Sequence, residues 1–319
     1  TADRLRPEAA RQQQYRGKRR TGDAMMATAW LHPDAIVDGH WLEPRTSEPD
    51  LRIFDCTTYL HYEQGTGRPY RVESGLADWK AGHIPGSAYL DLQGDFSDGT
   101  APSRFMRLSP EATADAFARH GVDTGSRVIL YSRGGPQWAT RFWWMLRWIG
   151  FDNAAILNGG LETWMAEGRA LSKEAASYPP GNLKARPRPE LFVGKDAMLA
   201  AIGDDAICSL NALTVDIHSG ANQRYGRPGH IPGSRNVPFS DLIDLDTKTL
   251  LPPETVATAF SEKGATADKQ ILNYCGGGIA ATLDAFLQYQ LGYGDIAVYD
   301  ASMSEWAKDE ALPMETGQD

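Results

Sequence analysis

Short apolar runs and longer amphipathic stretches alternate along the chain, and the alternation occurs twice. In the first half, "LRIFD" (51–55) and "RVILY" (127–131) have the composition of strands. A helical pattern, "SPEATADAFARHG" (109–121), lies between them, with Ser and Pro as start signals and Gly as a stop signal. Strands that alternate with helices predict an α/β fold, in which helices flank a parallel-stranded sheet.

The second half repeats the segments of the first half in the same order. The blocks share a "HIPGS" turn, an apolar strand before a glycine-rich loop, and a strand followed by a Trp-containing helix. The paired blocks are 81–92 with 228–242, 127–135 with 269–278, and 154–171 with 296–312. Long blocks that recur once indicate a duplicated domain rather than a solenoid of short repeats.

The repeats predict two domains and a linker. The first domain is expected over 29–171 and the second over 190–319, while 172–189 is rich in Pro and charge and lacks periodicity. Residues 1–28 are basic, rich in Gln and Arg, and have no apolar core, so we do not expect them to be a secretory signal. We predict a disordered or extended arm there, with a transit-type or nucleic-acid-binding arm as alternatives.

Strand ends define where the two copies correspond. We expect "ALTVD" (212–216) to be the counterpart of 51–55, so that Asp55 and Asp216 end equivalent strands and cap nearby backbone groups. The segment 137–151 repeats Trp at helical spacing, which predicts a core helix or a face packed against the other domain.

Composition excludes several classes of function. The 319 residues carry a net charge of −9, with no basic stripe, so we expect no nucleic-acid partner. The chain has no apolar run long enough to span a membrane. Cys56, Cys208 and Cys275 show no CxxC spacing, which argues against a disulfide framework or a zinc site and favours a cytoplasmic, reducing location. The sequence contains no motif for a metal or an organic cofactor, so none is expected.

The glycine-rich loop of the second copy holds the candidate chemistry. In "NYCGGGIAAT" (273–282), Cys275 follows a strand and precedes a helix, where free amides and the helix dipole favour a thiolate. The glycines are expected to adopt positive φ angles and form an anion nest with room for a second sulfur atom. Ser132 stands at the equivalent place in the first copy, so only the second copy has this nucleophile.

These motifs, together with the segment "YDASMSEWAKDEALPMETG" (299–317), resemble the tandem-domain rhodanese family, which includes thiosulfate and 3-mercaptopyruvate sulfurtransferases. The resemblance implies two tandem rhodanese-like domains, of which the first, with Ser132, is catalytically silent. It also implies that Cys275 forms a persulfide and passes sulfane sulfur from a small anionic donor to cyanide or a thiol. The implied cradle consists of Gly276, Gly277, Gly278, Ile279 and Ala280.

The resemblance leaves the sulfur donor open. The loop has no basic side chain, as thiosulfate-specific members tend to have, and Gly277 stands where mercaptopyruvate-specific members tend to have Ser. An anionic donor is expected to require arginines, and Arg224 and Arg227 precede the second "HIPGS" turn. His83 is a candidate assisting residue, although a histidine in both turns is more simply explained as a structural hydrogen-bonding group.

Two alternative functions use the same arrangement of strand, cysteine loop and helix. A phosphatase would need an arginine six positions after the cysteine, and this position is Ala281, which argues against phosphoryl transfer. A persulfide carrier or interaction module without turnover remains the alternative to an enzyme, since the loop is neutral and lacks serine.

Overall fold

The computed structural model describes residues 29–62 and 69–318, so the arm predicted over 1–28 lies outside the described residues. Within them, the strands form two five-stranded parallel sheets and one antiparallel hairpin. No helix in the described ranges is long and apolar enough to cross a bilayer.

The first half of the chain forms one sheet with helices around it and the hairpin beside it. Its strands are β1 (Ile36–Val37), β2 (Leu51–Asp55), β3 (Thr58–His61), β4 (Arg71–Ser74), β5 (Ser87–Tyr89), β6 (Arg127–Tyr131) and β7 (Ala154–Leu157). Its helices are α1 (Gly39–Leu42), α2 (Leu76–Ala81), α3 (Leu92–Asp95), α4 (Pro110–Arg119), α5 (Gln137–Trp148) and α6 (Gly160–Ala166). The sheet order is β1-β7-β6-β2-β5, and β3 pairs with β4.

The second half forms a sheet of the same kind. Its strands are β8 (Phe192–Val193), β9 (Ile207–Asn211), β10 (Arg235–Asn236), β11 (Gln270–Tyr274) and β12 (Ile296–Tyr299). Its helices are α7 (Lys195–Ala200), α8 (Val215–His218), α9 (Pro253–Glu262), α10 (Ala280–Gln290) and α11 (Ser302–Trp306). The sheet order is β10-β9-β11-β12-β8, which places β11 at the centre. The predicted α/β class with two parallel sheets flanked by helices is confirmed.

Local signals located the central elements of both halves well. The strand β6 coincides with the predicted run, β11 lies within the repeated block 269–278 that predicts a strand before the loop, and α4 lies within the predicted helical segment 109–121. Ser109 caps α4 as its position before the helix suggests, because its hydroxyl accepts a hydrogen bond from the Ala112 amide at 3.2 Å.

The prediction that 212–216 is a strand is wrong. The strand of the second half is β9, which ends at Asn211, and Asp216 lies in the short helix α8. Asn211 is the counterpart of Asp55, since each side chain accepts a hydrogen bond from the amide two residues further along, at 3.0 and 2.9 Å. The apolar run after β9 looked more strand-like than β9 itself, which carries Cys, Ser and Asn.

The two halves pack against each other along α5 and α10. The hydroxyls of Thr140 and Thr282 lie 3.1 Å apart between these helices. In each half, the residue that follows the last strand accepts a hydrogen bond from a backbone amide of the other half. Asp300 accepts from the Arg107 amide (3.0 Å), and Asn158 accepts from the Leu250 amide (2.8 Å). The loop that precedes α10, with Cys275, therefore lies at the interface between the halves.

Candidate active site

Cys275 directly follows β11 and is almost completely buried, with 2% of its surface exposed. Its amide donates to the Ser302 hydroxyl at 3.1 Å, and its carbonyl accepts from the Met303 amide at 3.0 Å. Ser302 has a φ of 52°, in the left-handed region that non-glycine residues rarely adopt. The turn that follows the neighbouring strand β12 thus holds the backbone of Cys275 in place through two hydrogen bonds.

The loop amides that follow the cysteine are free to meet a ligand. In the described part of the chain, the N–H groups of Gly276, Gly277, Gly278 and Ile279 have no hydrogen-bond acceptor. They precede the eleven-residue helix α10, whose positive end favours a negative charge. Only one glycine of the loop, Gly278 with φ 72°, uses the left-handed region, so the expectation of successive positive φ angles is wrong for the other two.

The equivalent loop of the first half is occupied by the chain itself. The Arg133 amide donates to the Thr57 hydroxyl at 3.0 Å, and the Gly134 amide donates to a carboxylate oxygen of Glu162 at 2.8 Å. The Ser132 hydroxyl donates to the Gly135 carbonyl at 2.6 Å. A carboxylate of the same domain is therefore held where an external anion would otherwise bind.

Ser304 takes the place of Glu162 in the second half. Each lies two residues before the tryptophan of the last helix, Trp306 or Trp164. The Ser304 amide and hydroxyl both donate to the Gly276 carbonyl, at 2.9 and 2.5 Å. Because the serine side chain is short and carries no charge, it supplies no internal anion to the loop amides.

The three glycines of the loop differ in how closely their surroundings approach them. A Cβ on Gly276 would lie 1.8 Å from the Tyr225 hydroxyl oxygen, and one on Gly278 would lie 2.5 Å from the Asp300 carbonyl oxygen. A Cβ on Gly277 would meet only looser neighbours, the nearest being the Tyr70 hydroxyl oxygen at 3.3 Å. The space beside Gly277 is thus the roomiest part of the loop.

Buried aromatic residues from both halves cover the loop. The Tyr70 ring lies 6.1 Å from that of Phe105 and 6.5 Å from that of Tyr225, measured between centroids. Burial raises the pKa of Tyr70 to about 12, while the Ser304 hydroxyl acts in the opposite direction. Burial also raises the pKa of Tyr225 well above its ordinary value, and the Tyr70 and Cys275 charges add to the rise. Both phenols are therefore protonated at neutral pH.

A buried arginine of the first half, Arg141, holds the cysteine loop through a hydrogen bond and forms an ion pair with Asp300 beside it. Arg141 is fully buried and donates to the carbonyls of Gly278 (3.1 Å) and Phe105 (2.7 Å). It also lies 2.7 Å from a carboxylate oxygen of Asp300, whose other oxygen accepts from the amide and side chain of Arg107. This ion-pair network joins both halves directly beneath the cysteine loop.

The two arginines predicted to bind substrate have different surroundings. Arg224 is half-buried beside Tyr225, and its guanidinium stacks 3.6 Å above the centre of the Tyr62 ring. Arg227 donates to four main-chain carbonyls near the C-terminus, which belong to Trp306, Ala307, Asp309 and Leu312. These bonds occupy its guanidinium and anchor the C-terminal segment, while substrate binding by Arg227 stays a prediction.

His83 belongs to the turn and not to the cysteine loop. Its Nδ1 lies 2.7 Å from the Trp79 carbonyl and its Nε2 lies 3.0 Å from the Glu174 carbonyl. The ring is fully buried and stacks on the Trp79 indole at 4.3 Å between centroids. Both ring nitrogens thus have carbonyl partners within the first half, which fits the structural explanation, and the assisting role of His83 stays a prediction.

Several residues around the loop were not found from the sequence. Tyr70, Ser304 and Arg141 gave no local motif, although a single arginine in the apolar helix "QWATRFWWM" was a signal for a buried ion pair. Arg104 is exposed, and its charge opposes the burial effect on the pKa of Tyr70. In the described ranges, no group of three or more His, Cys, Asp or Glu side chains could hold a metal ion.

Comparison with known proteins agrees with this geometry. A family model described as "Rhodanese-like domain" matches residues 38–167 and again 204–309, which together make up most of the chain. The chain belongs to the rhodanese family. The two matched ranges each contain one of the glycine-rich loops, so the duplication predicted from the sequence is a duplication of rhodanese-like domains.

Three relatives are informative. The 3-mercaptopyruvate sulfurtransferase of Escherichia coli is 30% identical over 295 residues, covering 91% of this chain and 99% of that protein. The sulfur carrier protein TtuD of Thermus thermophilus is 27% identical, covering 91% and 99%. The crystal structure of SseA from Escherichia coli, described as a 3-mercaptopyruvate sulfotransferase, superposes with a TM-score of 0.70 at 28% identity, covering 84% and 98%. The predicted enzyme class, sulfurtransferase, agrees with these relatives.

Proposed function

We propose that this protein transfers a sulfane sulfur atom from a small anionic donor, 3-mercaptopyruvate or thiosulfate, to a thiol or to cyanide through a persulfide on Cys275. The contrast between the two loops supports this function best. One loop has its amides engaged by Thr57 and Glu162, whereas the amides after Cys275 have no acceptor in the described part of the chain. The first half is then catalytically silent.

The steps follow from the groups around the cysteine. The Cys275 thiolate attacks the transferable sulfur of the donor, the donor residue leaves, and the outer sulfur of the persulfide carries the negative charge. The amides of Gly276 to Ile279 and the N-terminus of α10 stabilise that charge. An acceptor thiolate or cyanide then removes the outer sulfur and restores the thiolate.

Arg224 attracts the anionic donor in this proposal. Its guanidinium makes no hydrogen bond to a described residue, and it lies next to Tyr225, which contacts the loop. Arg104, from the first half, adds a second cation near Tyr70. Cations at the mouth of a buried site raise the local concentration of an anion without entering the reaction. The three free cysteines suit a reducing compartment, and we propose a cytoplasmic protein.

The test uses intact mass and turnover together. The protein is incubated with 3-mercaptopyruvate or thiosulfate and with cyanide, and thiocyanate is measured alongside the mass of one added sulfur atom. We expect both signals in the wild type and neither in Cys275→Ser. A persulfide that forms without thiocyanate would instead indicate a carrier, the function that the name of the Thermus thermophilus relative states for that protein. No sulfur adduct with any donor would refute both functions.

A further inference from the structure

The hydroxyl group of Tyr70 lies beside Gly277, the least crowded of the three loop glycines. A Cβ on Gly277 would be 3.3 Å from this oxygen and 3.8 Å from that of Ser304. Tyr70 belongs to the first half of the chain, immediately before β4, and only 3% of its surface is exposed. The catalytically silent half therefore places a phenol against the cysteine loop of the other half.

The loop itself has no group that can move a proton. After the cysteine it consists of glycine, isoleucine and alanine, and the Ser304 hydroxyl already donates to the Gly276 carbonyl. The turn histidines are engaged elsewhere, since His83 lies between two carbonyls and Nδ1 of His230 lies 2.7 Å from the His218 carbonyl.

Asp300 and Arg141 also lie beside the loop at Gly278, but they are ion-paired with each other. Asp300 pairs with Arg107 as well. Of the other titratable side chains that a Cβ on one of the described loop glycines would meet, the phenols Tyr70 and Tyr225 remain.

Tyr70 is the better placed of these two phenols. The Tyr225 hydroxyl fills the space at Gly276, where a Cβ would lie 1.8 Å from its oxygen, whereas the Tyr70 hydroxyl lies at the less crowded position beside Gly277. Burial raises the pKa of Tyr70 to about 12, so its hydroxyl is protonated at neutral pH and can donate a proton. The Arg104 charge favours the phenolate that this donation leaves.

We propose that Tyr70 supplies the proton that the carbon of a 3-mercapto-2-oxo acid receives when Cys275 removes its sulfur. This role rests on the proposed function and names the donor class for which the site is built. The Cys275 thiolate forms an S–S bond with the donor thiol sulfur, and the C–S bond breaks. The cysteine and donor sulfur atoms are each oxidised by one electron to the persulfide level, the donor carbon is reduced by two, and the electron pair of the C–S bond leaves as the enolate of the 2-oxo acid.

The proton balance closes within the site. The Tyr70 O–H protonates the enolate carbon, which releases the saturated 2-oxo acid. The proton of the former donor thiol, now on the outer persulfide sulfur, returns to the phenolate. Cys275 is left as a persulfide anion and Tyr70 is again neutral. Thiosulfate needs no such step, because its leaving group is sulfite and no carbon atom has to be protonated.

A comparison of the two types of sulfur donor therefore shows whether Tyr70 donates a proton or only supports the structure of the site. The rate of persulfide formation and kcat are measured for Tyr70→Phe with 3-mercaptopyruvate, and with thiosulfate and inorganic tetrasulfide as proton-independent donors. We expect a fall of about 10²-fold with 3-mercaptopyruvate, the usual order for loss of a general acid. We expect rates close to wild type with whichever proton-independent donor the enzyme accepts, and an altered solvent deuterium isotope effect with 3-mercaptopyruvate alone.

Tyr293→Phe is the matched control. Burial raises the pKa of Tyr293 to about 12 as well, but its hydroxyl bonds to the Ala265 carbonyl and has no contact with the loop. It should behave as the wild type with every donor. Equal losses with all donors in Tyr70→Phe, or no loss with 3-mercaptopyruvate, would overturn the role of Tyr70 and leave the sulfurtransferase proposal standing. A wild-type protein that forms no persulfide from any donor would overturn both.

Discussion

Arg141 donates a hydrogen bond to the carbonyl oxygen of Gly278 at 3.1 Å, although 137 residues separate them along the chain. The same guanidinium lies 2.7 Å from the Asp300 carboxylate. A residue of the first domain thus fixes the only loop glycine in the left-handed region. The shape of the cysteine loop depends on the packing of both domains and not on the loop sequence alone.

Replacement of Arg141 by Met should destabilise the protein. The change leaves the Asp300 carboxylate with Arg107 as its remaining cation, and loss of one partner of a buried pair costs about 3–5 kcal/mol. Urea unfolding measures the free energy change. Arg71→Met is the control, because Arg71 pairs with Glu73 at the surface, where ion pairs contribute less than about 1 kcal/mol. Equal effects of the two variants would contradict the structural role of Arg141.

Ser304→Glu should convert the active loop into a copy of the silent one. The new carboxylate would reach the Gly277 amide as Glu162 reaches Gly134, and would compete with the persulfide anion. We expect persulfide formation to fall by about 10²-fold or more, the order found when stabilisation of an anion is removed. Ser304→Gln matches the size and loses the same hydroxyl, so it should fall less. If both variants lose the same activity, charge in the loop is not the reason.

Alanine substitutions at the first two loop glycines should differ sharply. A Cβ at position 276 would lie 1.8 Å from the Tyr225 hydroxyl oxygen and 2.3 Å from its ring carbon, so Gly276→Ala must displace a buried ring. Gly277→Ala meets nothing closer than 3.3 Å and should fold normally. Thermal unfolding and the yield of persulfide are measured for both. A Gly276→Ala variant as stable and active as Gly277→Ala would show that Tyr225 does not pack there.

The two arginines before the second "HIPGS" turn should affect different quantities. Arg224→Gln should raise KM for an anionic donor and leave the melting temperature nearly unchanged, because its guanidinium has no hydrogen bond to a described residue. Arg227→Gln should lower the melting temperature, since it removes bonds to four main-chain carbonyls. Steady-state kinetics and calorimetry separate the two. A large rise in KM for the second variant at unchanged stability would instead support substrate binding by Arg227.

The buried carboxyl group of Asp284 should lower the free energy of unfolding as the pH rises. Burial raises the pKa of its carboxyl well above the ordinary value, and neither oxygen accepts a hydrogen bond from another described residue. Between the unfolded and folded pKa values the folded state binds the extra proton, so the free energy of unfolding falls from about pH 4 upward, by at most ~1.4 kcal/mol per pH unit. Asp284→Asn should therefore gain stability relative to wild type between pH 5 and pH 8.

The control for that experiment is Asp244, whose pKa is shifted in the opposite direction to that of Asp284. Asp244 is exposed, and hydrogen bonds from the Thr247 backbone and side chain lower its pKa. Its contribution is present above the unfolded pKa and is lost as the pH falls, so Asp244→Asn should not gain on the wild type as the pH rises. A flat difference between Asp284→Asn and wild type over the same range would mean that Asp284 is not protonated in the folded protein.

The sequence was sufficient to predict those features of the fold and of the site that depend on residues close together along the chain. Short apolar runs located β6 and β11, Ser109 marked the start of α4, and the repeated blocks revealed two domains. The strand–cysteine–glycine–helix order placed Cys275 at the amino end of α10. The local pattern gave a wrong prediction at 212–216, where the apolar run forms a turn and the start of a short helix. The neighbouring strand of the sheet is β9, which ends at Asn211 and is less apolar than the run that follows it.

The sequence by itself determined the duplicated α/β fold, the single loop cysteine and the absence of charge in its loop, because these follow from periodicity and residue identity. Only the tertiary structure decided what surrounds that cysteine. Tyr70 and Arg141 reach it from the other domain, and Glu162 rather than an external anion engages the first loop. Such contacts depend on how two sheets and their helices pack, and residues more than a hundred positions apart leave no local pattern of their proximity.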